Sequence, residues 1–277
     1  MQPRKIEASI AVYCAKLTGS EELLKAARGA TAGREQDGDV MDDGMTSAAP
    51  GELRRPPSDG AIFDRIVAAV LEQKLAGGAK LPEAALCEAF DCSRSQIRRV
   101  LVVLAERGVV ALHPNRGAFV AKPSADEARD VFEARRAIER SIVLAAAGRI
   151  EADALSELRA NARAGGGAET AGDRSESIRL SGEFHLRLAE AAGNAVLTRF
   201  LEDLVTRTSL IIGLYGSRAV RSCSESEHDA LIDALARRDG PAAAALMEHH
   251  LKHVESALDI RDAEQPPADV RRLFGPG

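Results

Sequence analysis

Two arginines four residues apart, Arg94 and Arg98, stand in a stretch that reads SRSQIRRVLVVLAERG from Ser93 to Gly108. Within it Ile97, Val100, Leu101 and Leu104 follow the i, i+3, i+4, i+7 spacing of one buried helix face. Arg94 and Arg98 therefore project together from the other side. A guanidinium is a planar fork of donors, suited to bonding a guanine edge at two points in a major groove, while Ser93, Ser95 and the helix N-terminus suit phosphate oxygens. Gln96 and Arg99 share the same first turns. The alternative for any one of these side chains is a solvated helix face with no partner.

Such chemistry needs a scaffold, and the flanking residues supply one. Ser93 is placed to cap its helix, with Gln96 three residues on to close a capping box. Ahead of it, Ile62, Ile66 and Val70 with Phe63, Val67 and Leu71 predict a helix from Ala61 to about Leu75, and Glu83 to Phe90 predicts a second, short one. After Gly108, VVAL and AFVA flank the turn HPNRG, which reads as a β-hairpin. Its tip carries His113, Asn115 and Arg116, with Gly117 permitting the tight turn, and is placed to reach a phosphate or the neighbouring minor groove. Three helices and a hairpin make a winged helix-turn-helix, whose third helix enters the major groove.

Charge is distributed to match. The chain carries a net charge of −5, yet residues 61–122 hold nine Lys/Arg against six acids, so that segment is +3 and the remainder −8. The 277 residues, 45% hydrophobic and only 3% aromatic, suffice for two cores and favour packed helices over a sheet sandwich. Cys14, Cys87, Cys92 and Cys223 are scattered without metal-site or disulfide-framework spacing, as expected of a reduced, cytoplasmic protein. The first residues make a poor signal peptide and no membrane span. Residues 1–58 read as a flexible extension; either that extension is genuine or translation starts at Met41 or Met45.

Beyond Pro123 the pattern is helical throughout. Ser124 with Glu127 predicts a cap for a long helix to about Gly148; further helices are predicted over 151–163, 172–192, 194–215, 224–238 and 241–261, with a loop at the GGG run. Ser224 with Glu227 predicts another cap, and Pro241 suits a first turn.

The run from Ala61 to Ala121, above all SRSQIRR and HPNRGAFV, resembles the DNA-binding domain of the GntR family of bacterial transcription regulators. That resemblance puts Ser93, Arg94, Ser95 and Arg98 at operator-contacting positions and Gly117 in the wing. Ala84 stands where family members often carry Arg. Farther on, Arg135 to Glu139, Glu183-Phe184-His185, Glu227-His228 and His249-His250 resemble landmarks of the FadR subgroup's FCD-type domain, a ligand-binding antiparallel bundle of six or seven helices.

The resemblance implies a divalent metal, zinc or nickel, on His185, His228 and His250. It is weakened because Ser181 stands where the family has an Asp ligand. Each histidine has the alternative of being a plain core or surface residue. Arg135 resembles a pocket-facing position suited to a carboxylate effector, against the competing reading of an ion pair with Glu139 one turn on. His249 and His253 read as solvent-facing.

The implied fold is mainly α: an N-terminal extension (1–58), a winged helix-turn-helix (59–122), an FCD-type effector-binding and dimerisation bundle (123–262) and a C-terminal tail (263–277). The implied function is a homodimeric transcription regulator, a repressor by family habit. It binds double-stranded DNA at a pseudo-palindromic operator and answers to a small-molecule effector. The alternatives are a metal-dependent enzyme built on the three histidines and an architectural DNA-binding protein without an effector.

Overall fold

The computed structural model describes residues 57–216, 225–260 and 269–275, with ten helices and one small sheet among them. The leader up to residue 56, Cys14, Cys223 and the expected cap at Ser224 lie outside the described residues.

Helix α1 (Asp59–Leu71) starts earlier than Ala61 because the Ser58 hydroxyl accepts from the Ala61 amide, and it ends at Leu71, short of Leu75. The chain turns there through Gln73, at a φ of 60°, and Leu75 is buried from the turn rather than from the helix. A two-residue strand, β1 (Lys80–Leu81), follows; its brevity hid it from the sequence pattern. Helix α2 (Glu83–Phe90) leads into α3 (Arg94–Glu106), and β2 (Val110–His113) pairs antiparallel with β3 (Gly117–Val120). β1 adds to the other edge of β3, giving the order β1-β3-β2.

Six helices follow: α4 (Ala125–Ala147), α5 (Ala152–Thr170), α6 (Arg174–Ala192), α7 (Ala195–Tyr215), α8 (Glu225–Ala236) and α9 (Gly240–Ser256). Side chains of Ser124, Asp173, Asn194 and Asp239 cap α4, α6, α7 and α9, each accepting from a first-turn amide. The expected loop at the GGG run is helical instead. α5 continues through Gly165, Gly166 and Gly167 to Thr170, and a Cβ at Gly165 would lie 3.6 Å from Cβ of Leu180 on α6. Small residues allow the two helices to pack closely, and that packing overrides the low helix propensity of glycine. Within 263–277 the chain forms a last short helix, α10 (Val270–Phe274).

One core fills the winged-helix unit, from Ile62, Ile66, Leu86, Ile97 and Leu104; Leu210 of α7 and Val270 and Phe274 of α10 join it. A second core fills the bundle around Ile142, Phe184, Leu188 and Leu231. Burying each such side chain stabilises the fold by about 1.5–3 kcal/mol. A third cluster, Leu71, Phe132, Ile178, Ile211 and Val254, forms the seam between them.

Polar ties cross the same seam. Arg174 of α6 donates to the carbonyls of Leu71, Ile212 and Gly216, and Gln73 donates to those of Leu214 and Gly216. Beside them a mostly apolar cleft of about 170 Å³ opens between Phe63 and Val67 of α1, Arg179 of α6 and Leu210 of α7. No helix among the described residues is long and apolar enough to cross a membrane.

Candidate nucleic-acid interface and histidine centre

Helix α3 owes its exposed face to its buried one. Ile97, Val100, Leu101 and Leu104 are sealed in the core, which leaves Ser93, Arg94, Ser95, Arg98 and Arg99 exposed. The Ser93 hydroxyl accepts from the Gln96 amide at 3.2 Å and lies 2.9 Å from the Ser95 hydroxyl. The capping box is only half made. The Gln96 side chain donates to the Pro57 carbonyl at 2.8 Å instead of returning to Ser93, which ties α3 to the residues ahead of α1.

The arginines differ in their surroundings. Arg98 Nε sits 2.9 Å from Glu83 Oε2 on α2, and Arg99 Nε sits 3.0 Å from Asp59 Oδ2 on α1. Exposed pairs of this kind are worth at most about 1 kcal/mol and exchange readily for a phosphate or a base. Arg94 projects without such a tie.

On the wing, His113, Asn115, Arg116 and Gly117 are all exposed. The tip takes left-handed backbone at two places, Asn115 at φ 61° and Gly117 at φ 95°. A Cβ at Gly117 would meet nothing within 4 Å, so backbone conformation, not space, asks for glycine there. Phe119 anchors the tip, with the His113 ring edge-on at 5.3 Å and the Arg116 guanidinium 5.7 Å from its centroid.

Inside the bundle His185 of α6, His228 of α8 and His250 of α9 converge. All three are buried, and one nitrogen from each lies within 4.8 Å of the others. Phe184 stacks on His228 at 3.9 Å and walls the cluster. His185 Nδ1 lies 2.5 Å from Glu139 Oε2, and His250 Nδ1 lies 2.7 Å from Glu227 Oε2. Carboxylates behind imidazoles fix the tautomer and turn the other nitrogen, Nε2, into the ligating atom. His185 Nε2 is buried with no hydrogen-bond partner. This donor set fits a divalent metal.

Arg135, 4% exposed, is tied to Glu139: its Nε lies 2.5 Å from Glu139 Oε1, while Nη1 donates to Thr208 Oγ1 of α7 at 2.8 Å. The ion pair therefore forms, yet Nη2 is left buried without a partner. Burial by itself would raise the Glu139 carboxyl, but His185 and Arg135 beside it outweigh that and hold it at about 2. Burial, helped by Arg135, pulls His185 down to about 4 against Glu139, and burial with His250 and His185 pulls His228 well below its usual value. Near neutral pH this gives an ionised Glu139 and neutral imidazoles at His185 and His228.

Ser181, half-buried, borders a void of about 10 Å³ shared with Asn161, Ser177, Leu180 and His228, so the sequence position singled out for its missing carboxylate does adjoin the histidines. Among the expected solvent-facing pair, His249 is exposed, but His253 is not free: its Nδ1 lies 2.7 Å from Oε1 of Glu227, whose Oε2 holds His250. Glu139 and Glu227 as imidazole partners, Thr208 and Asn161 were not singled out from the sequence. The carboxylates had a signal in their spacing to Arg135 and His228; Asn161, alone in a helix, had none.

A winged helix joined to an all-α bundle with a polar interior defines a DNA-binding transcription regulator. The comparisons agree: residues 59–120 match the model of the bacterial regulatory proteins of the gntR family, and residues 130–253 match that of the FCD domain. The chain belongs to the GntR family, with the FCD-type C-terminal domain of its FadR subgroup.

It is 28% identical to the HTH-type transcriptional repressor RspR of Escherichia coli (strain K12), over 68% of this chain and 83% of that one. It is 27% identical to the repressor NanR of Klebsiella aerogenes, over 79% and 94%. A GntR transcriptional regulator from Rhodococcus sp. RHA1 shares the fold, with a TM-score of 0.61 at 21% identity over 72% of this chain and 95% of that one. Its relatives mark it as a non-enzymatic regulator, which removes the metal-dependent enzyme from consideration.

Proposed function

We propose that the chain is a homodimeric repressor whose operator affinity is set by a small, carboxylate-bearing metabolite held in the bundle between Arg135 and the three histidines. Residues 59–122 are assigned to DNA and residues 123–262 to effector binding and dimerisation. Ser93, Arg94, Ser95, Gln96, Arg98 and Arg99 take the major groove and its phosphates, and His113, Asn115, Arg116 and Gly117 the wing contact. Two recognition helices about a two-fold axis call for a pseudo-palindromic operator with half-sites about one turn of DNA apart. The protein then works in the cytoplasm, where that DNA is.

The observation that carries the effector reading is the orphan Nη2 of Arg135. Two other nitrogens of the same guanidinium are fixed by Glu139 and Thr208, so the third is a directed, charge-assisted donor with nothing to bond. Leaving such a group buried and unfilled costs about 1–3 kcal/mol, and a carboxylate oxygen removes the cost. His185, His228 and His250 would hold a zinc or nickel ion, which supplies a Lewis-acidic attachment point for a second anionic oxygen.

The elements that hold the site also hold the DNA-binding unit. Helix α6 carries both His185 and Arg174, and α7 carries Thr208 and the Ile212 carbonyl, which with the carbonyl of its C-cap Gly216 accepts from Arg174 beside Leu71 of α1. A ligand that shifts α6 against α7 changes the seat of α1. Gel shifts on the DNA upstream of the gene, with and without a panel of small carboxylates, test the reading. Specific binding altered by one of them is expected; binding indifferent to all of them counts against it.

A further inference from the structure

Helix α2 ends at Phe90, and the chain turns into α3 through Asp91, at a φ of 51°. That turn sets the angle at which the recognition helix is presented, because the two helices of this motif dock on DNA as a pair. The residue that closes α2 is gripped by the far end of the chain. Phe274 of α10 stacks on the Phe90 ring at 5.0 Å, and Arg65 of α1 lies over both rings, 4.8 Å from Phe90 and 5.8 Å from Phe274, while donating to the Phe274 carbonyl. One guanidinium thus joins three helices. Arg271 adds a pair with Glu88, on the helix whose Glu83 holds Arg98 of α3.

Five residues do not make a stable helix alone, so α10 exists through its cap and its seat. Asp269 Oδ1 accepts from the Arg271 and Arg272 amides, and Val270 and Phe274 are each 3% exposed within the core of the winged-helix unit. We propose that α10 is a positioning element of DNA recognition: it braces the turn between α2 and α3, and so fixes the recognition helix without touching DNA itself. The DNA-reading unit is then made of two pieces of chain, 59–122 and 269–275.

The full chain is tested on two duplexes, one selected by the wild type from a random pool and one of scrambled sequence, each across a range of salt. Phe274→Ala should lose about tenfold in affinity for the selected duplex, the cost of about one mismatched base pair, and keep its affinity for the scrambled one within about twofold. Arg271→Ala, which leaves the buried ring in place, should lose about threefold on the selected duplex alone. The salt slope should stay that of the wild type in both, since no phosphate contact is given up.

Thermal melts establish that the variants are folded at the assay temperature; if Phe274→Ala is not, Phe274→Leu, which refills the seat without the stack, takes its place. Folded variants that bind the selected duplex as tightly as the wild type would overturn the role of α10. So would a fall in affinity on both duplexes alike. A shallower salt slope in Arg271→Ala would show that α10 meets the DNA directly, which also contradicts the proposal.

Discussion

Nδ1 of His185 and Oε2 of Glu139 lie 2.5 Å apart, each group all but sealed from solvent, and Glu139 holds Arg135 with its other oxygen. One carboxylate thus sets both halves of the candidate effector site: the tautomer of an imidazole and the direction of a guanidinium. Glu139→Gln keeps the shape but removes the charge between them. Breaking a buried ion pair from one side costs about 3–5 kcal/mol, and loss of a carboxylate behind a metal-binding histidine about 10–100-fold in metal affinity. Urea unfolding and metal titration of the variant should show both losses; a stability within error of wild type would mean that the pair is not made.

Arg98→Ala should cost about 1–3 kcal/mol of specific operator affinity and relax sequence preference at one position. Arg98 stands on the exposed face of α3 within reach of Glu83, a pair it gives up for a base edge. Anisotropy titrations against the operator and single-position variants measure it, and unchanged specificity would show that another side chain reads the groove.

Gly213 is where α7 presses against α1. A Cβ there would lie 2.8 Å from Leu71 Cδ2 and 3.0 Å from Leu71 Cα. The Leu71 Cδ2 methyl can turn aside but the Leu71 backbone cannot, so Gly213→Ala should destabilise by about 1–3 kcal/mol and shift the seat of the DNA-binding unit. Unfolding curves read the first effect and operator affinity the second.

The short helix α10 should matter more than its five residues suggest. Phe274 stacks on Phe90 of α2 at 5.0 Å, its carbonyl accepts from Arg65 of α1 at 2.8 Å, and Arg271 pairs with Glu88 at 2.5 Å. Phe274→Ala should cost about 3 kcal/mol, in the range of buried aromatic truncations, and should be visible as earlier melting of the winged-helix unit.

What the sequence made legible depends on how local the cause is. Ser93 and Ser124 cap helices with their own hydroxyls, and the i, i+4 rows of α1 and α3 face the core that their spacing implies; these signals lie within a few residues. The three glycines of α5 misled because the force that keeps them helical is the close packing of α6, a partner distant in sequence. β1 and α10 are too short to show a period, and each exists only because another element, β3 or the face of α1 and α2, is there to receive it. At the histidine centre the resemblance marked the three rings, while the carboxylates behind them, Glu139 and Glu227, take up that place only once the helices are packed.

The most direct test is an anisotropy titration of upstream DNA with metal-loaded wild type and with His228→Ala, repeated across a panel of small carboxylates. Wild type should bind specifically and change its affinity by about 5–150-fold with one of them, the usual span of coupling between two sites. His228→Ala should bind the DNA equally well and not respond. A response that survives intact in His228→Ala would contradict the assignment of effector control to the histidine centre.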